Sequence, residues 1–288
     1  MTAAVSTTTA ARETAGRRGR PRRRRRWTRY ILPAYSWLVI AYLVFPILVM
    51  VLYSFNKVTT GLPQISFAWN GFTTQWYREW SAIPQLTSSF WLSVRLAVAS
   101  TVLATIVGTL LALALVRYRP PRFRGKGFIE QVMFLNIAAP EIVLGASLLG
   151  LFVTLNIARG FATLLLAHVA FSIAYVAITV RARMTGFDRS LEEAAQDLGA
   201  NAWTTFRKIT LPLIFPGILA GALMAFALSI DDFVTSNFVS GASVPFPVWV
   251  YGATRIGIPP QVFVFGSAIF AVGILCAVAS IVVGRRQA

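Results

Sequence analysis

The chain has 288 residues, of which 56% are hydrophobic and only 13% charged, and its formal net charge is +17. That balance excludes an ordinary soluble domain and points to a membrane protein. The charge does not describe a basic folded surface, because ten arginines precede Tyr30, outside every apolar segment. The single cysteine, Cys276, can form no internal disulfide, so redox and structural-zinc readings lapse.

Residues 1–29 carry almost no aliphatic mass for a core and are expected to form a disordered, Arg-rich cytoplasmic tail. The run Arg22 to Arg26 abuts a spanning segment and reads as a topology anchor resting on anionic membrane lipids. Nucleic-acid binding lacks a folded reader or a stacking platform. A cleaved export signal lacks a clear small-residue cleavage site.

A bilayer span takes about 20 apolar residues. Such segments lie at about Ile31 to Phe55, Phe90 to Val116, Phe128 to Leu155, Phe161 to Val180, Leu211 to Ile230 and Val262 to Gly284. The expected fold is therefore all-α, a polytopic domain over residues 30–284 with six transmembrane helices. Sorted by connection, 22 Lys and Arg fall on one side and four on the other, Lys57, Arg78, Arg159 and Arg255, while Arg95 sits inside the second segment. This positive-inside bias predicts that both termini are cytoplasmic.

The first outer loop holds Trp69, Trp76, Tyr77 and Trp80, which read as interfacial anchors or as faces for a docking protein or a cation. In the third segment Pro140 withholds a helical amide beside Glu141, so a bend is expected near mid-depth. Ionisable groups inside spans point to a functional pathway by default. Glu141 is one candidate, with pairing to Arg95 as the bland alternative. Asp231 and Asp232 are two more. Adjacent acids on a helix point in different directions, so at most one is expected to face a pathway while the other caps a helix or meets water. His168, the only histidine, has no neighbouring His or Cys for a metal site and is expected to pack or to bridge helices.

The inner connection 183–210 is unusually polar. Ser190 and Glu193 spell a capping box that starts a short helix through Leu198, Gly199 stops it, and Asn201 caps a second helix to about Thr210. Pro212 then begins the next span. An ordinary interfacial helix pair has the same local pattern.

The spelling is more specific. Glu193, Ala194 and Ala195, then Gly199, then Ile209, Leu211 and Pro212, stand at the spacing of the EAA motif of ABC-importer permeases. From about Ser93 to Ser280 the chain resembles the permease subunits of spermidine/putrescine importers, notably at "PEIVLGASLLGLF", "HVAFSIAYVAITVRARMTGFD" and "LSIDDFVTSNFVSG". The resemblance implies a type I ABC importer permease fold in the bacterial inner membrane. It implies that the seven motif residues form the element coupled to an ATPase, and that Glu141, Ser229, Asp231 and Asp232 belong to the substrate route. The family more often carries aspartate where Glu141 stands. The implied partners are ATP-binding cassette subunits, a second related permease and an extracytoplasmic solute-binding protein. No cofactor is expected on this chain, ATP and Mg being bound by the ATPase subunits.

No GxxxxGK[ST], HExxH or GxSxG is present, so the chain is not expected to be an enzyme. The same wider branch of permeases moves other small solutes. A secondary transporter or a membrane scaffold would be a different class. The first would be expected to show an internal repeat, and neither accounts for the EAA spelling.

Overall fold

The computed structural model describes residues 28–58, 69–117, 125–186 and 188–285. The chain divides into two units, residues 1–49 and 50–288. Helix α1 (Thr28–Tyr53) begins in the first unit and ends in the second, and it already contains Thr28 and Arg29, which were expected in the tail. The remainder of the expected tail, including Arg22 to Arg26, lies outside the described residues.

Among the described residues of the second unit every named element is a helix, and the one β feature is an isolated bridge between Asn56 and Phe72. A short helix α2 (Gln75–Arg78) precedes α3 (Pro84–Arg117), α4 (Lys126–Ala138), α5 (Glu141–Thr154) and α6 (Phe161–Thr185). Helices α7 (Ser190–Asp197) and α8 (Ala202–Thr205) follow, and a π-helical turn (Phe206–Thr210) runs into α9 (Leu211–Asp231). Two short helices, α10 (Val234–Val239) and α11 (Phe246–Ala253), lead to α12 (Gln261–Arg285).

The core is the packing of α3, α6 and α9. Close approach here depends on small residues, as between membrane helices generally. A Cβ on Gly108 of α3 would lie 2.8 Å from Val176 Cβ of α6, and one on Gly221 of α9 would lie 3.3 Å from Val176 Cα. Val176, Ala177, Val180, Ala104, Ile214 and Ala225 form the centre of this cluster, all fully or almost fully buried. A second cluster gathers Leu96, Phe152, Leu164, Ala167 and Val239 where α5 and α10 pack on it.

Four of the six expected spans are matched by helices long and apolar enough to cross a membrane, within Tyr30–Tyr53, Pro84–Arg117, Phe161–Thr185 and Ala202–Asp231. The third, expected as one helix from Phe128 to Leu155, is instead two helices, α4 and α5, turned 110° at a short break. Pro140 explains the break. It has no amide to donate and it disfavours helical geometry at the residue before it. Ala139 and Pro140 accordingly take extended ψ values of 139° and 130°. The sixth corresponds to α12, whose apolar stretch is Gln261–Leu275.

The connection 183–210 also differs from expectation. Ser190 is not the cap of α7 but its first residue, and the residue at the cap position, Arg189, makes no side-chain cap bond. Asp188 does that work, its Oδ1 accepting the Ser190 amide at 2.9 Å. This bond stabilises the ionised form and holds the exposed Asp188 carboxyl below the usual carboxylate range. A carboxyl lowered by folding contributes stability above its unfolded value and loses it as pH falls through the lowered one, so the cap is complete at neutral pH. Asp188→Ala is expected to speed hydrogen exchange of the α7 amides 190–194, whereas Asp188→Asn, which keeps the acceptor, leaves them near wild type. Equal exchange in both variants would show that Asp188 does not start the helix.

Gly199 has φ +87°, the left-handed conformation that stops a helix and that glycine adopts without steric cost. Asn201 caps the next helix through Thr204 N–H at 2.8 Å. That helix does not end at Thr210, because the π-helical turn carries it straight into α9. The wider turn sits where Pro212 withholds the amide that would have bonded the Lys208 carbonyl.

Candidate functional site: an acidic cavity and a helical knob

The break at Pro140 makes Glu141 the first residue of α5 and frees it from the interior of a continuous helix. At the other wall, α9 ends at Asp231, and Asp232 turns extended (φ −62°, ψ 112°) to start the next segment. Adjacent acids therefore part ways. Asp232 is 8% exposed, and its carboxylate accepts the backbone amides of Ser236 at 2.7 Å and Thr235 at 3.3 Å, capping α10. Asp231 stays exposed.

Glu141, Asp231 and Asp232 line one cavity of about 340 Å³, together with Asn136, Phe171, Tyr175, Phe233 and Thr235 among others. No lysine or arginine is among its lining residues. Neither Glu141 nor Asp231 forms an ion pair among the described residues, and Arg95 lies instead on an exposed face of α3 beside Trp91. Asn136 Nδ2 donates to the Ala170 carbonyl at 3.1 Å and holds the end of α4 against α6 at this wall. A site with three carboxylates, three aromatic rings and no base suits a cation with apolar spacers, since the acids attract its charges and the rings cover its methylenes.

Ser229 is placed differently from the acids. It is 3% exposed, absent from the cavity wall, and sits behind it in a buried polar chain. Ser100 of α3 donates to Ser229 Oγ at 2.9 Å, and Ser229 Oγ lies 2.7 Å from His168 Nδ1. His168, fully buried on α6, bridges α9 and α10.

Three of the four aromatics in the first connection make contacts within the second unit. Trp76 donates its indole N–H to the Asn56 carbonyl at 2.8 Å, the Tyr77 hydroxyl is 2.7 Å from Ser54 Oγ, and Trp80 meets Phe265 edge-on. Trp69 is 47% exposed, and none of the four lines the acidic cavity.

The second feature is the knob made by α7, Gly199 and α8. It presents Leu191, Leu198 and Trp203 to the outside, Leu198 at 90% exposure, beside a Trp203–Phe206 ring stack. It is anchored to the end of α3. Arg117 Nη2 donates to Glu192 Oε1 at 2.5 Å and to Thr210 Oγ1 at 3.1 Å, and the Thr210 hydroxyl donates to the same Glu192 oxygen. Arg189 adds a bond to the Val116 carbonyl at 3.1 Å. Sequence reasoning singled out Glu193 and passed over Glu192, whose partner is 75 residues away in the chain and left no local signal.

Four helices long and apolar enough to cross a membrane, an acidic cavity and an anchored helical knob define a multi-pass membrane protein. Residues 108–286 match the family described as "Binding-protein-dependent transport system inner membrane component", and the chain belongs to that family. It is 39% identical over 259 residues, 90% of this chain and 98% of the relative, to "Spermidine/putrescine transport system permease protein PotC" of Haemophilus influenzae. It is 38% identical to the PotC protein of Escherichia coli K12, over 86% of this chain and 92% of the relative. It is also 38% identical to "Putrescine transport system permease protein PotI" of the same strain, over 87% and 89%.

Two solved structures share the fold at low identity. The MetNI methionine ABC transporter matches with TM-score 0.59 and 16% identity, over 70% of this chain and 96% of that one. A bacterial ABC transporter that imports alginate matches with TM-score 0.58 and 17% identity, over 91% and 96%. The all-α ABC-importer permease fold expected from the sequence is therefore the observed one.

Proposed function

We propose that this chain is the polyamine-conducting membrane subunit of an ATP-driven importer, with spermidine or putrescine as cargo. The carrying observation is the cavity whose charged lining residues are three acids, Glu141, Asp231 and Asp232. An ammonium group that leaves water must meet a charge-assisted acceptor, and each such contact contributes about 1.5–3 kcal/mol. Separated ammonium groups on one flexible chain pass along this acidic wall one after another, while Phe171, Tyr175 and Phe233 shield the methylenes between them.

In this reading the chain holds no cofactor. ATP and Mg belong to ATP-binding cassette partners that dock on the knob, for which its exposed Leu191, Leu198 and Trp203 supply an apolar face. A second related permease completes the pathway and an extracytoplasmic solute-binding protein delivers cargo. The distribution of lysines and arginines supports cytoplasmic placement of both termini.

The test is uptake by proteoliposomes holding the complete importer, across a panel of polyamines, sugars and inorganic anions. Saturable uptake of spermidine or putrescine alone is expected. Complexes that ignore both polyamines and move a sugar or an anion would sink the cargo assignment. The coupling half is tested separately by Glu193→Lys and Gly199→Val, which are expected to insert and assemble normally yet to lose most cargo-stimulated ATP hydrolysis. Normal stimulation in both would remove the knob from the coupling path.

A further inference from the structure

His168 occupies a place that neither the cavity nor the knob explains. It is 0% exposed, it is the only histidine of the chain, and both ring nitrogens are within reach of partners on other helices. Nδ1 lies 2.7 Å from Ser229 Oγ of α9. Nε2 lies 3.0 Å from Ser236 Oγ of α10 and 3.4 Å from Asp232 Oδ2.

The chemistry of these partners sets the direction of the bonds. A carboxylate only accepts, so a bare Nε2 lone pair facing Asp232 Oδ2 would be repelled, whereas an Nε2–H is attracted to it and to Ser236 Oγ. In the neutral ring Nδ1 is then the acceptor and takes the hydroxyl hydrogen of Ser229. The Ser229 oxygen is left to accept from Ser100, as it does at 2.9 Å. One donor chain thus runs from α3 through α9 and α6 to the acid that caps α10.

We propose that His168 is a positioning residue for the acidic cavity: it fixes the Asp232 carboxylate and the α9–α10 corner, and Ser229 acts on transport through His168 rather than by touching cargo. The inference rests on the importer reading for its assay and deepens it, by leaving Glu141 and Asp231 as the two acids free to exchange partners with cargo. Asp232 keeps its place on the wall, yet two α10 amides and the ring beside it already occupy its oxygens.

A double-mutant cycle separates the two roles for Ser229. Ser229→Ala, His168→Gln and the double variant are reconstituted with all partner subunits, and KM and kcat for spermidine and putrescine uptake are measured beside the yield of assembled complex. Each single change is expected to raise KM about threefold to thirtyfold with assembly intact, and the double variant to be no worse than His168→Gln alone. A purely structural role would lower yield and leave the KM of surviving complexes unchanged. If the two losses multiply in the double variant, Ser229 has a contact of its own and the inference falls. It falls equally if Ser229→Ala matches wild type. Should His168→Gln not assemble, Ser229→Ala and Ser236→Ala, on opposite sides of the ring, form the cycle, and only coupling through His168 makes their losses non-multiplicative. If wild-type complexes take up neither polyamine, the cargo reading fails by itself, and the same non-multiplicative pattern is then required in basal ATP hydrolysis.

Discussion

Asp231→Asn and Glu141→Gln are each expected to lower polyamine uptake roughly tenfold to hundredfold, the kinetic equivalent of losing one desolvated charge contact. Both amides keep nearly the shape of the acid they replace. Neither carboxylate is held in an ion pair among the described residues, so packing is expected to survive and assembled complex to be recovered at wild-type yield. The loss is specific to cationic cargo, because a neutral solute gains nothing from a carboxylate. Initial uptake rates, normalised to assembled complex, check it. Variants that transport spermidine and putrescine at the wild-type rate would place the cargo route elsewhere in the molecule.

Replacing Gly241 by alanine is expected to abolish recovery of the assembled complex, while the same change at Gly199 is tolerated by the fold. Both glycines have positive φ, +56° and +87°, where a side chain costs about 1–3 kcal/mol. They differ in space. A Cβ on Gly241 would lie 2.6 Å from the Arg159 backbone oxygen, a partner that cannot swing aside, whereas nothing lies within 4 Å of one on Gly199. Overpacking of that kind adds about 1–3 kcal/mol, a large share of a marginal stability. Gly241 follows α10 and Arg159 follows α5, the helix α10 packs against, so the damage falls beside the scaffold of the acidic cavity. Thermal unfolding and size-exclusion profiles of the two alanine variants measure the difference, and a Gly241→Ala complex as stable as wild type would overturn it.

Local chemistry made much of this protein legible in its sequence. Long apolar runs mark the spans because a bilayer leaves no other partner for a helix backbone. The break beside Glu141 follows from a proline that cannot donate, and the stop at Gly199 and the cap at Asn201 follow from residues that solve a helix-end problem within a few positions. The capping box at Ser190 shows the limit of that logic. Asp188, two residues earlier, offers the first amide a charged acceptor and takes its place. Helices α10 and α11 were missed because their interval, 232–260, is short and lacks a long apolar run.

What the sequence determined by itself is the membrane class, the long apolar segments, the motif-bearing knob and the list of acids, since each depends on composition or on neighbours close in the chain. Only the tertiary structure decided what those residues face. Glu141 meets Asp231 and Asp232 across 90 residues of chain because a kinked α4–α5 pair packs against α6 and α10. Ser229 turns from the cavity to His168, two residues from an acid that does not, and Glu192 rather than Glu193 takes Arg117. Successive positions on a helix point about 100° apart, so which neighbour meets the cavity, the core or a partner is set by how helices pack, a choice that one helix cannot encode alone.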